Sequence, residues 1–161
     1  MKNLKLFLIN CGVILLSVLT LVFLSQGYEK WTLLGKDIYA SGYDMIDFGS
    51  NDGRADMTAL SNILVIVFVS LLIIIAIFNI LKDCGVIKIG KKANKVVAFI
   101  EVAVAALAVV FTVVALGCVA SLVGEMGSAF SVGWALIVNL VISVFIAVFA
   151  VASLLGANKR K

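Results

Sequence analysis

The chain has 161 residues, of which 63% are hydrophobic and 14% charged, with no proline, no histidine, a net charge of +4 and a mean hydropathy of +1.21. Soluble domains average about 45–50% apolar and about 25% charged residues, so these values exclude a water-soluble globule, a disordered chain and a disulfide-stapled secreted module. A membrane protein remains.

A spanning helix needs about 20 mostly apolar residues, because a rise of 1.5 Å per residue must cover a hydrocarbon core about 30 Å thick. Four stretches qualify, at about 6–25, 60–81, 96–123 and 134–155. They predict an all-α, polytopic four-transmembrane-helix bundle forming a single membrane domain. Barrel strands fit less well, since the runs are continuously apolar rather than alternating. Buried backbone in lipid must also satisfy itself internally, which favours helices.

The first run follows Lys2 and Lys5 in the manner of a signal peptide. It is long, however, and ends in Ser25-Gln26-Gly27 with no A-x-A-like cleavage site, so it reads as a retained first helix.

Next comes the largest polar segment, 26–57. Tyr28-Glu29-Lys30-Trp31 reads as an aromatic anchor at the headgroup level. Trp31, Leu34 and Ile38 fall at i, i+3 and i+7 and predict a short amphipathic helix lying on the membrane surface. Ser41-Gly42-Tyr43-Asp44 and Gly49-Ser50-Asn51-Asp52-Gly53 then read as turns. Trp31, Tyr43, Asp44, Asp47 and Asp52 are the candidates for a partner-recognition surface. The acids do not follow the EF-hand spacing, because Phe48 stands where the first ligand should be. Solvated loop charge is the leading reading and no metal site is expected, with a calcium site assembled from Asp44, Asp47 and Asp52 as the minor alternative.

Charge sets the expected orientation. Lys2, Lys5, the 82–95 loop and the 156–161 tail together carry 10 of the 13 basic residues, whereas the 26–57 loop and the 124–133 turn carry three. The positive-inside rule then places both termini and the 82–95 loop in the cytoplasm. The outer segments sum to −4 and the inner ones to +9. An inner surface of that sign attracts anionic lipid headgroups. The lysines are divided among short flanks, so nucleic acid is not an expected partner. The expected setting is a bacterial plasma membrane.

Little catalytic chemistry is on offer. Without histidine the commonest general base and metal ligand is missing. Cys11, Cys84 and Cys118 lie apart, none in the outer loop, and form no C-x-x-C. Cys84 is a juxtamembrane thiol of the kind that is palmitoylated, though a plain free thiol is the simpler reading. The chain is read as non-enzymatic and without a cofactor.

The costly residue is Glu101, inside the third apolar run. From it, Ala105, Ala108, Thr112 and Ala115 fall at i+4, i+7, i+11 and i+14, a heptad-like face of small residues. Glu101 should therefore point into a helix interface. Lys91, Lys92 and Lys95, or the amides of Asn10 and Asn79, are its candidate partners. It is either a structural polar tie or an ion- or proton-binding carboxylate. Asn139, Ser143, Ala147 and Ala150 make a second stripe, and Asn10, Ser17 and Thr20 a third. The leading expectation is a protein that acts by assembly, as a homo-oligomer or with another membrane protein. The alternatives are a small oligomeric ion or proton channel or transporter using Glu101, and an immunity or accessory protein.

Overall fold

The computed structural model describes residues 4–33, 36–46, 53–126 and 130–158. Four helices dominate: α1 (Leu4–Leu24), α2 (Gly53–Asp83), α3 (Lys91–Met126) and α4 (Trp134–Asn158). All four are long and apolar enough to cross a membrane. At 1.5 Å per residue, the 31 residues of α2 and the 36 of α3 reach well past a hydrocarbon core about 30 Å thick. The helices pack around a ring in chain order, with α4 closing on α1.

The packing is written in the residue spacing. On α3 the buried side chains are Asn94, Ala98, Glu101, Ala105, Ala108, Thr112, Ala115 and Val119. They alternate steps of four and three, the 3.5-residue period of a left-handed helix seam. Asn62, Val65, Val69, Leu72, Ala76 and Asn79 repeat it on α2, and Asn10, Val13, Ser17, Thr20 and Leu24 on α1. Many interior positions are small or polar, whereas Leu, Ile, Val and Phe crowd the outside, as at Leu15, Ile74, Phe99 and Phe145. That reverses the soluble pattern. In lipid, small residues let helix backbones approach, and apolar side chains gain nothing by leaving the exterior.

The segment after α1 departs from expectation. Instead of a surface helix it forms β1 (Gly27–Leu33) and β2 (Lys36–Ser41), an antiparallel hairpin in which Trp31 faces Ile38 across the ladder. β3 (Phe130–Val132) joins the other side of β1, giving the order β2-β1-β3. The i, i+3, i+7 spacing of Trp31, Leu34 and Ile38 was consistent with a helix, but the run is rich in aromatic and β-branched residues that fit a pleated surface. Leu33 pairs with Lys36, which leaves a two-residue connection containing Gly35, a hairpin signal. Leu34 itself lies outside the described residues.

Two glycines are required by the geometry. Gly85, with φ of +82°, ends α2 in a Schellman motif: Val86 N donates to Leu81 O (2.9 Å) and Gly85 N to Lys82 O (3.0 Å). Gly133 links β3 to α4 against the backbone of β1, where a Cβ would lie 2.1 Å from Gly27 O.

Candidate functional site

The bundle carries a polar cluster near each end. At the sheet end, Asn139 of α4 is fully buried and donates from Nδ2 to Thr20 O of α1 (3.2 Å) and to the Tyr28 hydroxyl of β1. Tyr28 is 1% exposed, so it plugs the bundle instead of anchoring at headgroup level. Burial drives its phenol above the ordinary tyrosine range, only partly offset by the Asn139 bond, so it stays protonated. Asn62 of α2 donates to Gly42 O (3.0 Å), and the Tyr43 hydroxyl to Leu21 O (3.2 Å). Arg54 at the start of α2 pairs with Glu125 near the end of α3 at 2.7 Å. These links tie the sheet and the turn after it to α1, α2 and α4, and join α2 to α3.

Beside this cap lies an open cleft of about 560 Å³, lined by Ser25, Gln26, Gly27, Tyr39, Ser41, Asp44 and Trp134. Ile38, Tyr39 and Tyr43 are about half exposed, as is Trp134, whose ring meets Phe23 edge-on at 5.6 Å. Asp44 fixes the turn that shapes the cleft: its carboxylate accepts from Ser41 N (3.0 Å) and Ser41 Oγ (2.7 Å). Those bonds hold its carboxyl below the usual aspartate range. Across the hairpin, Lys30 meets Asp37 at 2.8 Å, which likewise lowers Asp37 and raises Lys30. The Trp31 side chain, Asp47 and Asp52 lie outside the described residues, and with them the calcium grouping of Asp44, Asp47 and Asp52. Among the described residues no cluster of three or more Cys, Asp or Glu is placed to hold a metal ion.

At the other end the centre is Glu101, with no exposure at all. Its Oε2 accepts from Asn79 Nδ2 of α2 and from Ser153 Oγ of α4, both at 3.0 Å. Lys82 Nζ donates to Asn79 Oδ1 (2.7 Å) and Asn94 Oδ1 (2.6 Å), completing a chain from the surface to the carboxylate. Asn79, one of the partners expected for Glu101, makes the contact. Lys91, Lys92 and Lys95 do not, being exposed on the first turns of α3. Asn10 donates to Leu6 O of its own helix (2.8 Å). It lines a cavity of about 10 Å³ with Leu6, Lys82, Asp83, Asn94, Ala98 and Ser153.

Lys82, Ser153 and Asn94 were missing from the sequence reading. Lys82 belongs to the last turn of α2 rather than to a loop, and a serine or asparagine inside an apolar run gives no sign of what it faces. The spacing gave one signal, since Asn94 and Ala98 continue the Glu101 heptad backwards.

Between the two clusters lies an apolar core of Val13, Leu72, Ala76, Ala105, Ile142, Ile146 and Ala150. The Ala105, Ala108, Thr112 and Ala115 face lies inside this chain's own bundle, each at most 2% exposed. Thr112 and Ser143 meet at 3.4 Å across α3 and α4. Ala147 sits at the edge of the seam: it is half-buried and packs against this core, while it also lines an apolar groove with Val109, Val144, Val148 and Val151, and the fully buried position beside it is Ile146.

No protein-family model, curated protein sequence or solved structure matches the chain. Any functional reading therefore rests on the geometry.

Proposed function

We propose that the chain is a non-enzymatic, four-span membrane subunit that acts by binding a partner, either another copy or a different membrane protein, through its β-cap. The observation that carries this reading is the cap cleft, where Tyr39, Trp134 and Asp44 surround an open space on a sheet clamped to the helices. Aromatic side chains held on a rigid support are efficient recognition elements, because little conformational entropy is lost on contact. The small-residue helix faces are occupied within one bundle, so the reading assigns recognition to the cap and not to those stripes.

The cap is placed outside the cytoplasm in a bacterial plasma membrane, with both termini inside. Lysine placement supports this. Lys91, Lys92 and Lys95 sit in the first turns of α3, where the helix dipole disfavours cations. Helix stability does not explain them, whereas orientation and contact with anionic headgroups do.

The transport alternative retains one observation, the buried Glu101, but an apolar core that includes Val13, Leu72, Ala105 and Ile146 packs the bundle beyond it. A photoreactive residue in place of Ile38 is expected to trap one discrete partner in native membranes, while the same residue in place of Val86, at the opposite end, does not. Asp44→Lys should cut the adduct yield about tenfold, equivalent to about 1.4 kcal/mol. Adducts with lipid alone, together with selective ion flux in liposomes that Glu101→Gln removes, would overturn the reading in favour of transport.

A further inference from the structure

We propose that the cleft beside the cap receives a basic side chain of the partner, an arginine guanidinium, held by the Asp44 carboxylate and the rings of Trp134 and Tyr39. The inference rests on the reading that the cap binds a partner, and says what that partner presents. The polar side chains of the cleft have largely spent their hydrogens on the protein itself. Ser25 Oγ donates to Val22 O (2.6 Å), Ser41 Oγ to Asp44 Oδ2 (2.7 Å) and Gln26 Nε2 to Ser25 Oγ (3.3 Å). Acceptor capacity is what remains. Both Ser41 bonds fall on Asp44 Oδ2, so Asp44 Oδ1 takes no hydrogen bond from the described residues, and neither does Gln26 Oε1. An occupant must therefore donate.

Charge narrows the choice. Asp44 is the one charged side chain in the lining. The Ser41 bonds favour its ionised form, so the wall carries a negative charge at neutral pH. Lys30 is paired with Asp37 and Arg54 with Glu125, so neither is the counter-charge of Asp44. An anionic or purely apolar occupant would leave that carboxylate unmatched, whereas a cation complements it. Tyr39 and Trp134 are each 51% exposed on the same lining, and aromatic faces attract cations. A guanidinium meets both demands together, because it stacks on a ring while its in-plane N–H groups reach acceptors. An ammonium is compact and strongly hydrated, a poorer match to an open cleft of about 560 Å³. The level also fits. Ser25 and Gln26 follow α1 and Trp134 opens α4, so the cleft sits at the ends of two spanning helices. A basic residue at the end of a partner's spanning helix can lay its apolar stem along the helices and bring its head to that height.

The test uses Nα-acetylarginine amide as the probe, on the purified full chain in a neutral detergent. Trp31→Phe leaves Trp134 as the sole tryptophan, so its emission reports on the cleft. The arginine amide is expected to change that emission saturably, with half the effect at about 1 mM. Nα-acetylcitrulline amide, which has the same shape and no charge, should bind about tenfold more weakly. Asp44→Asn should remove the preference for the charged probe. Should that variant loosen the turn, the contrast between the two amides on the chain that keeps Asp44 still decides. Equal binding of the two amides, or binding of neither, overturns the proposal. A discrete adduct from position 38 formed all the same would leave partner binding standing without it, whereas absence of the adduct strikes the partner reading itself.

Discussion

The two ends of the bundle use the same residue type for different work. At the sheet end, Asn139 and Asn62 spend their amide hydrogens on backbone carbonyls and a phenol, and so fasten a small sheet to the helices. At the lysine-rich end, Asn79 stands between charges, relaying Lys82 to Glu101, and Asn94 accepts a second bond from the same ammonium. The first arrangement links neutral groups, each bond being worth about 0.6 kcal/mol on average inside a membrane protein. The second supports a buried carboxylate, where a lost partner leaves charge exposed to a medium that cannot solvate it. The difference teaches where fragility should lie: the sheet end resists single losses, and the charged end does not.

The sharpest way to break that contrast is Asn79→Leu. It strips one donor from Glu101 and one acceptor from Lys82, two charge-assisted bonds each worth about 1.5–3 kcal/mol. A loss of about 3 kcal/mol in unfolding free energy is expected, read from denaturation in mixed micelles. Glu101→Gln should cost far less, because the glutamine oxygen still accepts from Asn79 and Ser153 and the desolvated charge is removed. If Glu101→Gln proved as damaging as Asn79→Leu, the carboxylate charge itself would be the stabilising element and the contrast would fail.

Second in size is Gly133→Ala at the sheet end. Its Cβ would fall 2.1 Å from Gly27 O and 2.5 Å from the Tyr28 carbonyl carbon, so backbone must move. Overpacking of this kind costs about 1–3 kcal/mol. The expected signature is local, with the β1–β3 amides losing hydrogen-exchange protection while α2 and α3 keep theirs.

How far this division was legible in the sequence depended on period. The small-residue face that starts at Glu101 stood out because a strict 3.5-residue repeat in an apolar run has few other causes. On α4 the same arithmetic is less sharp, because stepping by seven from Asn139 gives the fully buried Ile146, while Ala147 beside it packs on the core only in part. The cap was illegible for a different reason. β1 lies between β2, next to it in the chain, and β3, about a hundred residues on, and no local pattern reports that second pairing. Tyr28 looked like a headgroup anchor because a tyrosine after a spanning helix usually is one; its burial depends on Asn139 being placed beneath it by α4. Glu101 advertised itself by cost, but Ser153 and Asn94 did not, since either residue is tolerated in a membrane helix without a charge to serve.

A third, smaller effect tests the neutral cluster directly. Tyr28→Phe removes the hydroxyl that Asn139 meets, while Asn139 Nδ2 keeps the Thr20 carbonyl. The ring still fills its place in the core with Leu24 and Leu136. The expected cost is about 0.6–1.7 kcal/mol, from the average to the largest value for single side-chain bonds in a membrane protein. A loss as large as that of Asn79→Leu would mean that the sheet end is as brittle as the charged one.

The smallest effect concerns the exposed turn beside the cleft, and its sign follows from linkage. Asp44 has its carboxyl lowered by the Ser41 side-chain and backbone bonds, so those bonds favour the ionised form. Their contribution is complete above the ordinary aspartate value of about 3.9 and fades as pH falls through the lower folded value. Asp37, lowered by Lys30, acts in the same direction. Hydrogen-exchange protection of the Ser41 amide, corrected for intrinsic rate, should therefore drop on acidification below about pH 4, while the amides within the helices hold. Asp44→Asn should show reduced protection at neutral pH and little further change in acid. If the variant kept the wild-type acid response, the turn would be held by something other than the ionised Asp44, and the cleft would lose the group proposed to shape it.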